Sequence, residues 1–242
     1  MKCLIVHGSP RRGNTWDVLN IVKEQLNDIE DMEYEIVELR KEKLDLCIGC
    51  FNCILKGEEK CPHTNKTKVL IDKMDETDII VLTSPVYSMQ VSALMKNFID
   101  HMSYNFHRQR LYNKKALVIT TTAGAGHKET ANYLKKVLQY WGITKIFTIP
   151  VAYRAENLTE KNKNLIIKEA KSFKKYILKK KKNKAGLKQV VMYNFWRGMS
   201  HKDGADNADY KFYKDKSLVY YKDIEISTFN KLIGNIVYKF MN

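Results

Sequence analysis

The chain has 242 residues, 44% of them hydrophobic, and a formal charge of +15. That length and composition suit one α/β domain with an appendage and exclude a disordered chain. No apolar run reaches the roughly eighteen residues that span a bilayer, and Met1 leads into a strand pattern without a signal-peptide signature, so a cytoplasmic protein is expected.

Cys3–Val6 is an apolar run that reads as a buried strand. Gly8-Ser9-Pro10-Arg11-Arg12-Gly13-Asn14-Thr15 follows it. A helical pattern from about Asn14 to Ile29 comes next, with Val18, Val22, Leu26 and Ile29 on one face. Such a loop, between a strand and a helix start, suits a phosphate. Free backbone N–H groups and hydroxyls face the anion, and the helix dipole favours its charge. Arg11 and Arg12 can add charge-assisted hydrogen bonds. The stretch is neither a Walker loop nor the Gly-x-Gly-x-x-Gly fingerprint. The competing reading is a plain turn in which Asn14 or Thr15 caps the helix.

Tyr34–Leu39 alternates as a second strand, and Thr67 to Met74 fits a short helix. Asp78 opens an apolar run to Thr83, the mark of a strand buried on both faces. Ser84-Pro85-Val86-Tyr87-Ser88 is expected to end it, with Pro85 stopping the pairing. Leu94, Met95, Phe98, Ile99 and Met102 form the stripe of a third helix. Ala116–Thr121 is a further buried strand, leading into Thr122-Ala123-Gly124-Ala125-Gly126-His127. Leu134, Val137, Leu138 and Trp141 mark a helix that Gly142 stops. Lys145–Pro150 is a last strand, and Ile166, Ala170, Phe173 and Ile177 line a last helix of the domain. Repeated strand–helix units predict a doubly wound parallel sheet with right-handed connections. Ligands bind such sheets at the carboxyl ends of the strands, where the loops Gly8–Thr15, Ser84–Ser88 and Thr121–His127 are expected.

Lys171 to Lys184 holds eight lysines and no acid. A solvated helix end is the favoured reading. No helix-turn-helix, finger or RNA-binding signature accompanies it, so no nucleic acid partner is expected. Beyond Ala185 the chain is aromatic-rich and reads as an irregular extension, closed by an amphipathic helix from about Ser227 to Met241. Its aromatics pack on the domain or wall a pocket. Tyr104 to Tyr112, flanked by His101 and His107, reads as a possible subunit contact, and His127 as a residue in reach of a ligand.

Four of the five cysteines fall in fifteen residues, as Cys47-x2-Cys50-x2-Cys53 and then Cys61-Pro62. In a reducing compartment such clustering signals metal or redox chemistry. Two-residue gaps let a short loop wrap a corner of a cubane cluster, which needs four thiolates. Zinc more often takes two separated pairs, and free cysteines remain open as a third reading. His63 lies close enough in sequence to be an alternative ligand. Cys3 reads as a small core residue.

Gly8-Ser9-Pro10-Arg11-x-Gly13-Asn14-Thr15, Cys47-Ile48-Gly49-Cys50-x-x-Cys53 and Ser84-Pro85-Val86-Tyr87, in this order, resemble the flavodoxin-like NAD(P)H-dependent FMN reductases. Within that group the chain is similar to the iron–sulfur flavoproteins, over residues 1–180. The resemblance implies an α/β fold: a flavodoxin-like five-stranded doubly wound parallel sheet in the order 2-1-3-4-5, with a cysteine-rich insertion and an aromatic C-terminal extension. Residues 1–184 would form the FMN-binding domain, and 185–242 would pack on it or on a partner subunit. Ser9, Arg11, Asn14 and Thr15 would hold the FMN phosphate. Pro85, Val86, Tyr87 and Ser88 would run along the isoalloxazine, with Thr122, Gly124 and Gly126 on its other side or by the ribityl chain. Cys47, Cys50, Cys53 and Cys61 would bind a [4Fe–4S] cluster. The implied activity passes electrons from NAD(P)H or a reduced ferredoxin-type carrier to an acceptor. A flavin exchanges electrons singly or in pairs, so no side chain need act as acid or base. A cluster-free NAD(P)H-dependent FMN or quinone reductase is the alternative, and a non-catalytic flavin-binding module a third. Relatives imply a homodimer or homotetramer.

Overall fold

The computed structural model describes residues 1–153, 158–179, 183–202 and 204–242. Lys180, Lys181 and Lys182 of the lysine run lie outside the described residues. The strands are β1 (Lys2–His7), β2 (Glu33–Glu38), β3 (Ile79–Tyr87), β4 (Gln90–Val91), β5 (Lys115–Thr122) and β6 (Ile146–Ala152). The helices are α1 (Asn14–Leu26), α2 (Leu39–Glu42), α3 (Asn52–Leu55), α4 (Thr64–Glu76), α5 (Ala93–His101), α6 (His127–Tyr140), α7 (Glu160–Ile177), α8 (Leu187–Ser200), α9 (Ala208–Tyr213) and α10 (Thr228–Met241).

Five strands are parallel in the order β2-β1-β3-β5-β6, and β4 folds back antiparallel on β3. Without β4 this is the expected flavodoxin-like order. The central strands are apolar on both faces because both faces are covered. Ile79–Leu82 and Ala116–Ile119 are all 2% exposed or less. The pleat sends alternate side chains to opposite layers. Leu4, Val6, Ile80 and Leu82 meet Leu70, Phe98, Leu134 and Trp141 of the α4–α5–α6 layer. Cys3, Ile5, Val81 and Ile119 meet Val18, Leu19, Ile166 and Phe173 of α1 and α7. Gly142 takes φ +105 just past α6, where only glycine turns the chain without strain.

Three expectations need correction. Pro85 does not end β3: it pairs in register with Thr121, and the strand runs on to Tyr87. β1 ends opposite Thr83, so beyond that point β3 has one parallel neighbour only, and a missing N–H is tolerated at such an edge. Neither Asn14 nor Thr15 caps α1. Gly13 takes the cap position, with no side-chain hydrogen bond to the first turn. The extension is not irregular before Ser227, since α8 and α9 precede α10. Its aromatics pack: Tyr193, Tyr213 and Tyr220 are buried with Val190, Val219 and Ile224 in one cluster. Tyr112 stacks on Tyr221 with centroids 3.4 Å apart, and Tyr220 and Tyr221 hydroxyls donate to the side chain and the carbonyl of Gln109. Within 104–112, Tyr104, Asn105, Arg108, Gln109 and Leu111 are buried in the chain, while Phe106, His107, Arg110 and Tyr112 stay partly exposed.

Candidate active site

The carboxyl ends of β1, β3 and β5 open on one cleft of about 390 Å³. Ser9, Arg11, Gly13, Asn14 and Thr15 line it from the β1–α1 loop, Pro85, Val86 and Tyr87 from β3, and Thr121, Thr122, Ala123 and Gly124 from the end of β5. The structure thus brings together nine sequence-expected residues from three separate segments: Ser9, Arg11, Asn14, Thr15, Pro85, Val86, Tyr87, Thr122 and Gly124. Ser88 and Gly126 are not on its wall. Ser88 sits in the β3–β4 turn at φ +47. Gly126, at φ +88, lies under that turn, where a Cβ would come within 3.1 Å of Met89 Cα and Val86 Cγ1. Both therefore shape the hairpin that carries Val86 and Tyr87.

Several hydrogen bonds fix the cradle. Gly8 N donates to the Thr83 carbonyl at 2.8 Å, and Ser92 Oγ donates to the Gly8 carbonyl at 2.5 Å. Ser9 Oγ donates to the Arg11 carbonyl at 2.7 Å, curling the loop over itself. Thr15 and Thr121 hydroxyls meet at 2.6 Å, tying the helix start to β5. Asn14 Nδ2 donates to the Tyr153 carbonyl at 3.3 Å. The first turn of α1 has N–H groups without intrahelical partners and no capping side chain, which leaves a donor-rich, positive end facing the cleft. Arg12 is not part of it. Its guanidinium grips Glu38 through two hydrogen bonds and lies 4.2 Å over the Trp16 ring. Those contacts, with Lys41, pull the Glu38 carboxyl down to about 2. Arg11 is exposed on the cleft wall and makes no ion pair among the described residues, so it is the cation left for an anion. His7, which the sequence did not flag, is buried beneath the loop with Nδ1 2.7 Å from Thr83 Oγ1. Burial pushes its pKa below the ordinary value, so it stays neutral at the floor of the cradle.

A second cavity, about 270 Å³, is lined by Cys47, Cys50, Cys53 and Cys61 together with Pro62, His63, Asp100, His101 and Ser103. All four cysteines are free. Cys47 N donates to Asn97 Oδ1 at 3.0 Å, and His101 Nε2 contacts the Asp45 carbonyl at 2.8 Å, so α5 pins the loop's start. Gly49 at φ +63 and Phe51 at φ +59 turn the chain between the cysteines. A left-handed phenylalanine is uncommon, and such strain concentrates at functional loops. Burial raises the Cys53 thiol above its ordinary pKa, with a hydrogen bond from Ser103 acting the other way. Among the described residues, no three His, Cys, Asp or Glu side chains close around a point that would hold a single ion. His63 Nε2 and His101 Nδ1 are buried without a hydrogen-bond partner, and the two rings meet edge to face with centroids 5.5 Å apart.

A family model described as NADPH-dependent FMN reductase matches residues 1–156. The chain belongs to this family. It is 37% identical over 155 residues to an iron–sulfur flavoprotein of Archaeoglobus fulgidus, covering 63% of this chain and 67% of that protein. It is 30% identical over 196 residues to an iron–sulfur flavoprotein of Clostridioides difficile, covering 79% and 84%. The fold is similar to the crystal structure of an apo NADH:FMN oxidoreductase, with TM-score 0.55 over 74% of this chain and 91% of that one, at 18% identity. As an FMN reductase family member the chain is an oxidoreductase. Among the described residues no helix is long and apolar enough to cross a membrane.

Proposed function

We propose that this FMN oxidoreductase is an iron–sulfur flavoprotein, taking electrons from NAD(P)H or a reduced ferredoxin-type carrier and releasing them through a [4Fe–4S] cluster. The observation that carries the reading is the shared cavity of Cys47, Cys50, Cys53 and Cys61. The names of the relatives support it. Ser9, Arg11, Asn14 and Thr15 hold the FMN phosphate, with Arg11 as the charged donor and the start of α1 as the dipole. Thr15 keeps its place through Thr121. Pro85, Val86 and Tyr87 present backbone and the exposed Tyr87 ring along one edge of the isoalloxazine, and Ser88 turns the hairpin that carries them. Thr122 and Gly124 approach from the other side, and Gly126 lets the hairpin lie close to it. Bound FMN supplies hydride acceptance and electron release; the chain supplies position and potential. The four cysteines supply the thiolates of the cluster, and Cys50, the exposed one, lies nearest to solvent. The basic surface suits an acidic carrier, and assembly is as a homodimer or homotetramer.

The experiment is anaerobic reduction of the FMN-loaded protein by NADH, NADPH and reduced ferredoxin, in the wild type and in the variant with Ser at positions 47, 50, 53 and 61. The proposal expects flavin reduction to survive in the variant while transfer to one-electron acceptors collapses. Equal transfer to every acceptor would instead establish a cluster-free FMN or quinone reductase.

A further inference from the structure

Arg108, in the segment after α5, is only 2% exposed. Its guanidinium bridges two parts of the chain far apart in sequence. Nη1 donates to Asp209 Oδ1 at 2.5 Å and to the Ile54 carbonyl at 3.0 Å. Nη2 donates to the Cys53 carbonyl at 2.6 Å and to Glu58 Oε2 at 3.2 Å. Cys53 and Ile54 lie in α3, a single turn whose last carbonyls have no intrahelical donor. A planar cationic fork at that end satisfies them and opposes the negative pole of the turn.

What holds the fork is the C-terminal extension. Asp209 belongs to α9, beyond the residues that the family model matches, and is 2% exposed. One carboxylate oxygen takes Arg108; the other lies 2.7 Å from His107 Nδ1. His107 in turn stacks on Trp196 of α8 with centroids 3.5 Å apart, and its carbonyl accepts from the Tyr213 hydroxyl at 2.7 Å. Asn207 Oδ1 accepts from Asp209 N at 2.7 Å and sets the start of α9. Removing the Asp209 carboxylate leaves Glu58, 3.2 Å from the other nitrogen, as the remaining anion on a buried guanidinium, and loosens the hold of the fork on the turn.

We propose that Asp209 is a positioning residue for Cys53: acting through Arg108, the extension fixes the Cys53 turn and limits access to its thiol. This rests on the cysteine loop being a working part of the protein, as proposed above, but not on which group the thiols hold.

The test uses the full-length, FMN-loaded protein purified without oxygen, with iron assayed first. Where iron is bound, its loss to a chelator is timed; where it is not, iodoacetamide alkylation of each cysteine is mapped by peptide mass spectrometry. D209N is expected to speed either process at Cys53 by about tenfold, the mark of local opening. Cys3, buried in the core, should alkylate at its wild-type rate, and FMN affinity should not move. A merely structural Asp209 would raise Cys3 and Cys53 reactivity together and weaken FMN. R108K covers the case in which D209N does not fold. A lysine can keep a cation beside Asp209 but lacks the fork that reaches both carbonyls, so Cys53 should again be released. Wild-type reactivity of Cys53 in either folded variant overturns the proposal. A lack of iron in every preparation counts against the cluster and leaves the alkylation result to decide the role of Asp209.

Discussion

Arg11→Ala should weaken FMN binding about tenfold and leave riboflavin binding unchanged. Arg12 is spent on Glu38 and Trp16, so Arg11 is the one guanidinium of the loop on the cleft wall. A charge-assisted hydrogen bond is worth about 1.5–3 kcal/mol net. Arg11 is exposed, and solvent and salt screen it, so the low end applies. About 1.4 kcal/mol is a factor of ten in Kd. The assay is titration of apoprotein with FMN and with riboflavin, followed by quenching of flavin fluorescence, at low and at physiological salt. The FMN penalty should shrink as salt is added, because the lost term is electrostatic. An equal loss for riboflavin, or none for FMN, would sink the assignment of Arg11 to the phosphate.

Gly8→Val places a Cβ 2.9 Å from Met95 Cβ and 3.0 Å from the Thr83 carbonyl, which is backbone and cannot step aside. A cost of about 1–3 kcal/mol is expected in thermal unfolding, and an unchanged Tm would contradict the packing under the loop. His7 gives a pH dependence. Its folded pKa lies below the ordinary 6.5, so the unfolded chain takes the proton first. The stability due to neutral His7 is full above pH 6.5 and is lost as pH falls below it. His7→Gln should therefore flatten the urea-midpoint slope on the acid side of that value, and parallel slopes would refute it. Ending the chain at Lys184 removes Asp209 from Arg108 and three tyrosines from their packing. Arg108 keeps Glu58 but loses its buried partner, at a cost of about 1–3 kcal/mol, so the truncated protein should unfold at lower temperature; a wild-type Tm would show that the extension bears no load.

The sheet was legible because burial on both faces writes itself as unbroken apolar runs, as at Ile79–Leu82 and Ala116–Ile119. The cradle was legible for a related reason: three loops of small and polar residues followed runs of that kind, and parallel strands bring such loops to one edge. Pro85 misled because a proline reads as a break, while its cost depends on whether a neighbouring strand is still there to pair. The start of α8 misled because its buried stripe is largely polar: Val190 and Tyr193 share it with Gln189, Asn194, Arg197 and Ser200, so no apolar period shows. Arg12 could not be told from Arg11 without knowing that Glu38 returns beside it on the end of β2. Nothing in the sequence joins Arg108 to Asp209, for a pairing across a hundred residues has no local period.

The most direct measurement is an absorption spectrum of the protein purified without oxygen, with flavin, iron, sulfide and zinc assayed on the same sample. One FMN per chain with an iron–sulfur shoulder and about four irons is the expected result. Failure to take up FMN would contradict the β1–α1 cradle itself, and flavin without iron would contradict the cluster at Cys47, Cys50, Cys53 and Cys61.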